Sequence, residues 1–193
     1  MVDIGLNSIL QRSNLDLLAL MDQFGMLSES LELKKRIELT RKAFIQLWDP
    51  QHEHFYNKDE ISKQLIRVPT SACFLPLFGH LANDEQAMKM ISTMEKWSEQ
   101  GFLLVPSTSP FDPKYEPQRY WRGPIWPHIN WMICEGLNDY GYYDLSQKIR
   151  METLGLISKL GFHEYYHPLG ISGLGGSSFS WTAAVYLMWC KAD

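Results

Sequence analysis

Residues 71–97 read SACFLPLFGHLANDEQAMKMISTMEKW, and the pattern changes character halfway along. Residues 71–82 carry no formal charge and are apolar on all sides, which predicts a buried helix. Asn83 and Gln86 then stand at the spacing of a helix capping pair. Beyond them apolar residues recur every three or four positions up to Trp97, which predicts an amphipathic helix. A buried helix followed by a surface helix is therefore the unit around which the chain is organised.

The same pairing recurs along the sequence. Apolar helices are expected to begin near residues 3, 71, 127 and 181, and amphipathic helices near 28, 84 and 142. The distance from one pair to the next, roughly 55 to 65 residues, is longer than that of common helical repeats. It predicts an all-α fold, an α/α toroid in which about seven helices alternate between inner and outer layers. Such a chain is about half of a closed ring, so an incomplete (α/α)6 barrel is expected.

Three segments between the helices are expected to be loops. Residues 49–69 open with an Asp-Pro breaker and favour a loop or small hairpin. Residues 98–125 form a loop long enough to suggest a function, and a glycine-rich loop follows Gly161. His52 and His54 flank Glu53, but adjacent residues do not share one face, so no metal site is expected there.

Composition sets the class of protein. The 193 residues are 45% hydrophobic and 21% charged, as in a soluble globular protein, and 1–193 is expected to be a single domain. The formal charge of −4 and the lack of a basic run make nucleic acid and anionic membranes unlikely partners. Aromatic residues reach 13%, with seven Trp, many of them between helices. This placement favours a ligand-lined cleft, and no cofactor is indicated.

The cysteines and the first helix bear on cellular location. Cys73, Cys134 and Cys190 lie in apolar helical stretches without the spacing of a zinc site, which predicts buried thiols in a reducing compartment. Residues 1–24 are interrupted by charges and therefore do not resemble a signal peptide. No apolar run reaches the ~18 residues needed for a membrane span. A cytoplasmic protein is expected.

Residues 120–126, Tyr-Trp-Arg-Gly-Pro-Ile-Trp, run directly into the helix that begins at Pro127. Aromatic faces pack against the C–H face of a sugar, Arg122 offers donors in a fixed fork, and Gly123 permits close backbone approach. The stretch indicates the floor of a site for a polar ring. A buried aromatic turn that carries an Arg is the alternative. Candidate substrate-binding residues are Tyr120, Trp121, Arg122, Trp126 and, at the start of the last helix, Trp181.

Glu164 is the candidate catalytic residue. It follows an amphipathic helix and lies among aromatic residues, ahead of several glycines. A carboxylate in such surroundings has the means to act as a general base on water. A loop-surface Glu is the alternative reading. In a toroid, Glu164 would share one end of the helices with Trp121, Arg122, Trp126 and Trp181, which favours the base.

Three motifs, with their order, resemble the C-terminal part of glycoside hydrolase family 63. They are residues 120–126, the stretch Glu164-Tyr165-Tyr166-His167-Pro168, and residues 178–184, and the likeness begins at Val2 to Asn7. The bacterial, mannosylglycerate hydrolase-like branch is the most similar, and trehalases are more distant. The resemblance implies an (α/α)6 barrel and inverting hydrolysis with an Asp general acid and a Glu general base.

Matched to those motifs, Glu164 corresponds to the general base, and Tyr120, Trp121, Arg122 and Trp126 correspond to the sugar-binding floor. The acid Asp of the family lies upstream of the segment that matches Val2 to Asn7. Because inverting hydrolysis needs both carboxylates, the isolated chain is expected to be inactive or nearly so. The implied substrate is an oligosaccharide or glycosyl-glycerate with an α-linked gluco- or manno-type sugar.

A competing hypothesis comes from the incomplete barrel itself. A half toroid leaves apolar helix surface at both cut edges, and contiguous apolar patches mark interfaces. The chain is then a non-catalytic carbohydrate-binding or scaffold module, which pairs with another chain that supplies the missing half or with a second copy of itself.

Overall fold

The computed structural model describes residues 1–99, 101–103 and 105–190, and most of its regular structure is α-helical. The helices are α1 (Ile4–Gln23), α2 (Leu27–Phe44), α3 (Leu75–Phe78), α4 (Asp84–Ser98), α5 (Pro127–Asp139), α6 (Tyr143–Leu160) and α7 (Ser180–Cys190). The all-α prediction is confirmed. The long loop expected over 98–125 includes residues 100 and 104, which lie outside the described residues, as do 191–193.

The helices form two layers. Helix α1 packs on α3, α3 packs on α5, and α5 packs on α7, so these four form the inner layer in chain order. Helix α2 packs against α1 and α6 against α5 from outside. The alternation of inner and outer helices is therefore the one that the sequence predicts.

Helix α4 joins the core through one apolar stripe. Asn83 caps it: the Gln86 N–H donates to Asn83 Oδ1 at 2.8 Å, and the Asn83 N–H donates to Gln86 Oε1 at 3.0 Å. This reciprocal pair satisfies two donors that a helix start leaves open. The buried stripe consists of Ala87, Met90, Ile91, Met94 and Trp97. Trp97 meets Phe74 edge-on, with ring centroids 4.9 Å apart, which fixes α4 against the inner layer.

The buried segment 71–82 is less helical than predicted. A 3-10 turn over Ser71–Phe74 leads into the single turn of α3. Pro76 has no N–H and is accepted only in the first turn of a helix. The chain leaves the helix at His80, whose φ of 52° is left-handed, and the Leu81 N–H donates back to the Pro76 carbonyl at 2.9 Å. The segment is largely buried but its helix is short.

Gly136 sets the distance between α5 and α3. A β-carbon at this position would lie 2.5 Å from the backbone nitrogen of Phe78 and 2.8 Å from the carbonyl carbon of Leu77. Only glycine allows the two backbones to approach so closely. The central pair of inner helices is thus in backbone contact.

Three antiparallel two-stranded ribbons complete the described fold: β1 (Trp48–Asp49) with β2 (His54–Phe55), β3 (Asn57–Lys58) with β4 (Leu65–Ile66), and β5 (His163–Tyr166) with β6 (Gly173–Ser177). The first two ribbons confirm the prediction of hairpin structure in the segment 49–69. The third corrects the prediction of a glycine-rich loop after Gly161. Glycines supply no side chains to alternate, so strand β6 leaves no period in the sequence.

Asp49 ties the first two ribbons together. Its buried carboxylate accepts hydrogen bonds from Arg67 Nε at 2.7 Å and from the backbone N–H groups of Gln51 and His52 at 3.0 and 3.3 Å. The hydrogen bond from Arg67 holds the pKa of Asp49 at about 2. The carboxylate therefore stays charged and fastens the segment across neutral pH.

The cysteines divide into two kinds. Cys73 and Cys134 are buried, and desolvation raises the pKa of each thiol to about 12. Cys190 is exposed, so the prediction that all three are buried is wrong for this residue. Helix α7 is the last of the inner series and is covered on only part of its surface.

The helices at both ends of the layered series expose apolar side chains. Those exposed on α1 are Leu6, Leu10, Leu17 and Leu20; those on α2 are Leu31 and Leu39; those on α7 are Trp181, Leu187 and Met188. Across the described residues, none of the helices combines the length and the apolar character required to cross a membrane.

Candidate active site

A pair of backbone hydrogen bonds brings the aromatic motif to strand β5. The Ile125 N–H donates to the Tyr166 carbonyl at 2.8 Å, and the Tyr166 N–H donates to the Ile125 carbonyl at 2.9 Å. Trp126 follows one partner, and Glu164 and Tyr165 precede the other. The two stretches chosen from the sequence therefore meet, at the end of the helices where α5 begins.

Four rings form an aromatic platform: Tyr120, Trp121, Trp126 and Tyr165. Trp121 lies flat on Trp126, with centroids 4.0 Å apart and planes 4° apart, and Tyr165 stacks on Trp126 at 4.8 Å. Tyr120 stands edge-on to Trp126 at 5.0 Å. Trp126 is only 3% exposed, whereas Trp121 is 43% and Tyr120 49% exposed. Trp126 is thus the support, and Trp121 and Tyr120 supply the accessible surface.

The Glu164 carboxylate lies at the edge of the platform. The Tyr120 hydroxyl donates to Glu164 Oε1 at 3.2 Å, and the Gly176 backbone N–H donates to Oε2 at 3.3 Å. The pKa of the Tyr120 hydroxyl is raised, mainly by desolvation and also by its hydrogen bond to Glu164. The phenol therefore remains a protonated donor at neutral pH. Each carboxylate oxygen has one donor and keeps a lone pair for another. The side chain is half-buried, which leaves it open to a water molecule.

Tyr120 has an unusual backbone. Its φ is +32°, outside the range that non-glycine residues normally occupy. Its carbonyl accepts a hydrogen bond from Trp126 Nε1 at 3.1 Å, which holds the turn in place. Backbone outliers of this kind concentrate at functional sites, where the surrounding structure enforces them. The residue with this outlier is the one whose hydroxyl donates to Glu164.

Arg122 makes its described contacts within the loop. Its Nε donates to the Lys114 carbonyl at 3.2 Å, and its own carbonyl accepts from the Glu116 N–H at 2.7 Å. A β-carbon at Gly123 would lie 2.5 Å from the Glu116 carbonyl oxygen, so the close approach that Gly123 permits is to the chain itself. A ligand contact by Arg122 stays a prediction.

Trp181 reaches the platform through His128, a residue that the sequence motifs do not predict to be part of the site. The His128 ring lies 4.9 Å from Trp181 and 5.6 Å from Trp126, both nearly perpendicular. Desolvation lowers the pKa of His128 to about 4. Tyr165 is a second residue of the platform that the motifs do not predict. The available signals were positions in the sequence: His128 directly follows Trp126-Pro127, and Tyr165 directly follows Glu164.

The arrangement has a clear chemical capacity. Stacked indoles offer apolar faces to sugar rings, and a half-buried carboxylate held by two donors is able to take a proton from water. A layered α-helical part-ring that carries such a carboxylate beside an aromatic platform has the layout of part of a carbohydrate-active domain.

Comparison with known sequences makes the assignment specific. Residues 1–182 match the family described as the mannosylglycerate hydrolase MGH1-like glycoside hydrolase domain, and the chain belongs to this family. The mannosylglycerate hydrolase of Thermus thermophilus is 40% identical over 190 residues, which are 98% of this chain and 45% of that protein. Mannosylglycerate hydrolase MGH1 of Selaginella moellendorffii is 39% identical over 187 residues, 97% of this chain and 38% of that protein. The chain spans less than half the length of these relatives.

The fold agrees with a solved structure. The crystal structure of the family 63 mannosylglycerate hydrolase from Thermus thermophilus in complex with glucose superposes with a TM-score of 0.91 at 39% identity, covering 97% of this chain and 45% of that one. The resemblance to family 63 and the α/α toroid, of which this chain forms a part, are thereby confirmed.

Proposed function

We propose that this chain forms the base-bearing part of an inverting glycoside hydrolase that acts on an α-linked gluco- or manno-type glycoside such as mannosylglycerate. The observation that supports it is the Glu164 carboxylate, held by Tyr120 and Gly176 at the edge of the aromatic platform. We take residues 1–193 as a single domain that forms the C-terminal half of an (α/α)6 glycosidase barrel.

In the proposed reaction the sugar lies against the exposed rings, with Trp121, Tyr120 and Trp181 as contacts. Glu164 accepts a proton from a water molecule as the water oxygen forms a bond to the anomeric carbon. The glycosidic C–O bond breaks, and the leaving oxygen takes a proton from a general acid. In inverting enzymes the two carboxyl groups stand ~6.5–9.5 Å apart to leave room for the water.

The general acid is proposed to come from polypeptide beyond these 193 residues, either in the same protein or in a second chain. The matched relatives are more than twice as long as the matched segment, since it is 45% and 38% of their lengths. Residues 1–193 alone are then expected to be inactive or nearly so.

The thiols form no disulfide within the described residues, which supports a reducing compartment, and we propose the cytoplasm.

The test is complementation. Residues 1–193 are joined to the segment of Thermus thermophilus mannosylglycerate hydrolase that they do not match, and release of the sugar from mannosylglycerate is measured. Glu164→Gln keeps the shape and removes the basicity, so kcat should fall roughly 10²- to 10⁴-fold while sugar affinity changes little. Glu32→Gln, on exposed α2, is the matched control. Undiminished hydrolysis by Glu164→Gln would refute the assignment of the base.

The exposed apolar rows of α1 and α7 favour a second candidate, a non-catalytic carbohydrate-binding or scaffold module that pairs with another chain. Light scattering of residues 1–193 separates the possibilities. A homodimer that binds sugar, together with no hydrolysis by the completed barrel, would favour the module. A monomer that gains hydrolysis only in the completed barrel would favour the enzyme.

A further inference from the structure

His128, the second residue of α5, lies among three indoles. Its ring centroid is 4.9 Å from that of Trp181, 5.6 Å from Trp126 and 6.3 Å from Trp121, and all three pairs are nearly perpendicular. Trp181 and Trp121 are 57% and 43% exposed, whereas His128 is half-buried. The imidazole therefore neighbours two accessible apolar rings at the start of α5, those of Trp121 and Trp181.

The polar atoms of this ring have no partner within the described part of the chain. An indole offers one N–H donor and no strong acceptor, and the N–H of Trp126 is already given to the Tyr120 carbonyl at 3.1 Å. No hydrogen bond joins either nitrogen of His128 to another described residue, and neither nitrogen is sealed from solvent. A buried polar group normally finds a partner. Here the available partner is water or a ligand.

The charge state of the His128 imidazole limits the kinds of ligand that it is suited to bind. Desolvation by the surrounding rings lowers the pKa of His128 to about 4, so the ring is neutral around pH 7. A neutral imidazole has one donor and one acceptor nitrogen. A hydroxyl group also donates and accepts, whereas an anion only accepts and gains nothing from the lone pair. The chemistry suits a polyhydroxylated neutral ligand.

We propose that His128 is a sugar-contacting residue, whose imidazole exchanges a hydrogen bond with a hydroxyl of a pyranoside lying against Trp121 or Trp181. The inference rests on the proposed function and deepens it. The recorded contacts run from His128 to Trp126, from Trp126 to Tyr120 and from Tyr120 to Glu164. We therefore assign the hydroxyl to a part of the sugar away from the reacting carbon. His128 then contributes to the choice of sugar rather than to proton transfer.

The experiment uses residues 1–193 with ¹⁵N-labelled histidine, which gives six imidazoles to resolve. His128 is assigned by the signal lost in His128→Gln, and the chain is titrated with methyl α-mannopyranoside, methyl α-glucopyranoside and sodium glycerate, with tryptophan indole signals recorded in parallel. We expect a saturable shift at His128 with a pyranoside, and unchanged signals at His52 and His80.

Two variants separate the hydrogen bond from packing. His128→Phe keeps a ring beside Trp181 but has no polar atom, so affinity for the pyranoside should fall about 5- to 10-fold, the loss of one hydrogen bond. His128→Gln retains a donor and an acceptor and should lose less. His52→Gln, in the segment between β1 and β2, should bind as the unchanged chain does.

Each adverse result has its own meaning. If a pyranoside shifts the indole signals but not His128, or if His128→Phe binds equally well, the inference fails and the sugar site stands. A shift at His128 with glycerate alone would refute the neutral-hydroxyl assignment. If no pyranoside shifts any indole or imidazole signal, either in residues 1–193 or in the completed barrel of the complementation test, the inference and the proposed sugar site both fail.

Discussion

Replacement of Gly136 by Ala tests the contact between the two central inner helices. The added β-carbon would lie 2.5 Å from the Phe78 nitrogen and 2.8 Å from the Leu77 carbonyl carbon. Atoms of this kind rest about 3.5–4 Å apart, so α3 and α5 would have to separate by about 1 Å. Both obstructing atoms are backbone and have no side-chain rotation to relieve the clash.

The expected loss of stability follows from two opposing effects. Overpacking of a close contact costs about 1–3 kcal/mol, and a backbone obstruction belongs at or above the upper end of that range. Ala in place of Gly within a helix stabilises the folded state by about 1 kcal/mol. The free energy of unfolding should therefore fall by about 2 kcal/mol. For a chain of this length such a change lowers Tm by about 4–8 °C.

Gly155 provides the matched control. It lies within α6, and a β-carbon there would meet no atom within 4 Å. Gly155→Ala should therefore raise the free energy of unfolding by about 0.5–1 kcal/mol. Both variants are compared by urea and thermal unfolding followed by far-UV circular dichroism. If Gly136→Ala is as stable as Gly155→Ala, then α3 and α5 are not in backbone contact.

Two further predictions concern titration and thiol reactivity. The Arg67 hydrogen bond lowers the pKa of Asp49 from 3.8 to about 2, so its stabilisation is complete above pH ~4 and is lost as pH falls towards ~2. Asp49→Asn should cost about 2 kcal/mol of unfolding free energy at neutral pH, and the difference in urea midpoint should shrink below pH ~4; a constant difference would contradict the ion pair. With Ellman's reagent, exposed Cys190 should react in the native protein, whereas buried Cys73 and Cys134 should react only in denaturant. Fast labelling of all three would show that the core is open.

The layered fold was predictable because a helix that buries one face has apolar residues every three or four positions, a pattern that is visible in the sequence. The stripe that ends at Trp97 and the Asn83–Gln86 cap both belong to this class, since each depends on residues within a few positions. The apolar segment 71–82 was correctly recognised as buried. Its helix is shorter because Pro76 and the left-handed turn at His80 act against helix propagation.

Other features depend on contacts between distant segments and leave no local pattern. Strand β6 is rich in glycine and shows no alternation. The role of Gly123 is decided by the Glu116 carbonyl, a neighbour that only the folded loop supplies. Cys190 was misjudged because an apolar helix at the end of an incomplete ring looks like one that is covered on all sides.

The candidate site combines both situations. Tyr120, Trp121 and Trp126 were identified by their local density of rings, and Glu164 by its aromatic surroundings. Their proximity was expected only from the toroid. His128 was not predictable as a site residue because what distinguishes it is its contact with three indoles. Two of these indoles belong to residues more than one helical turn away in sequence.

The geometry of the site also separates the position of the proposed base, Glu164, from its charge. The loop and strand β5 are joined through the backbones of Ile125 and Tyr166, and this pairing does not depend on the side chain at position 164. The two donors to the Glu164 carboxylate come from different segments, the Tyr120 phenol from the loop and the Gly176 N–H from β6. Both donors are able to serve the amide oxygen of Gln, one at a time. Loss of hydrolysis in Glu164→Gln would therefore report the missing basicity, because the backbone that positions residue 164 is held by other contacts.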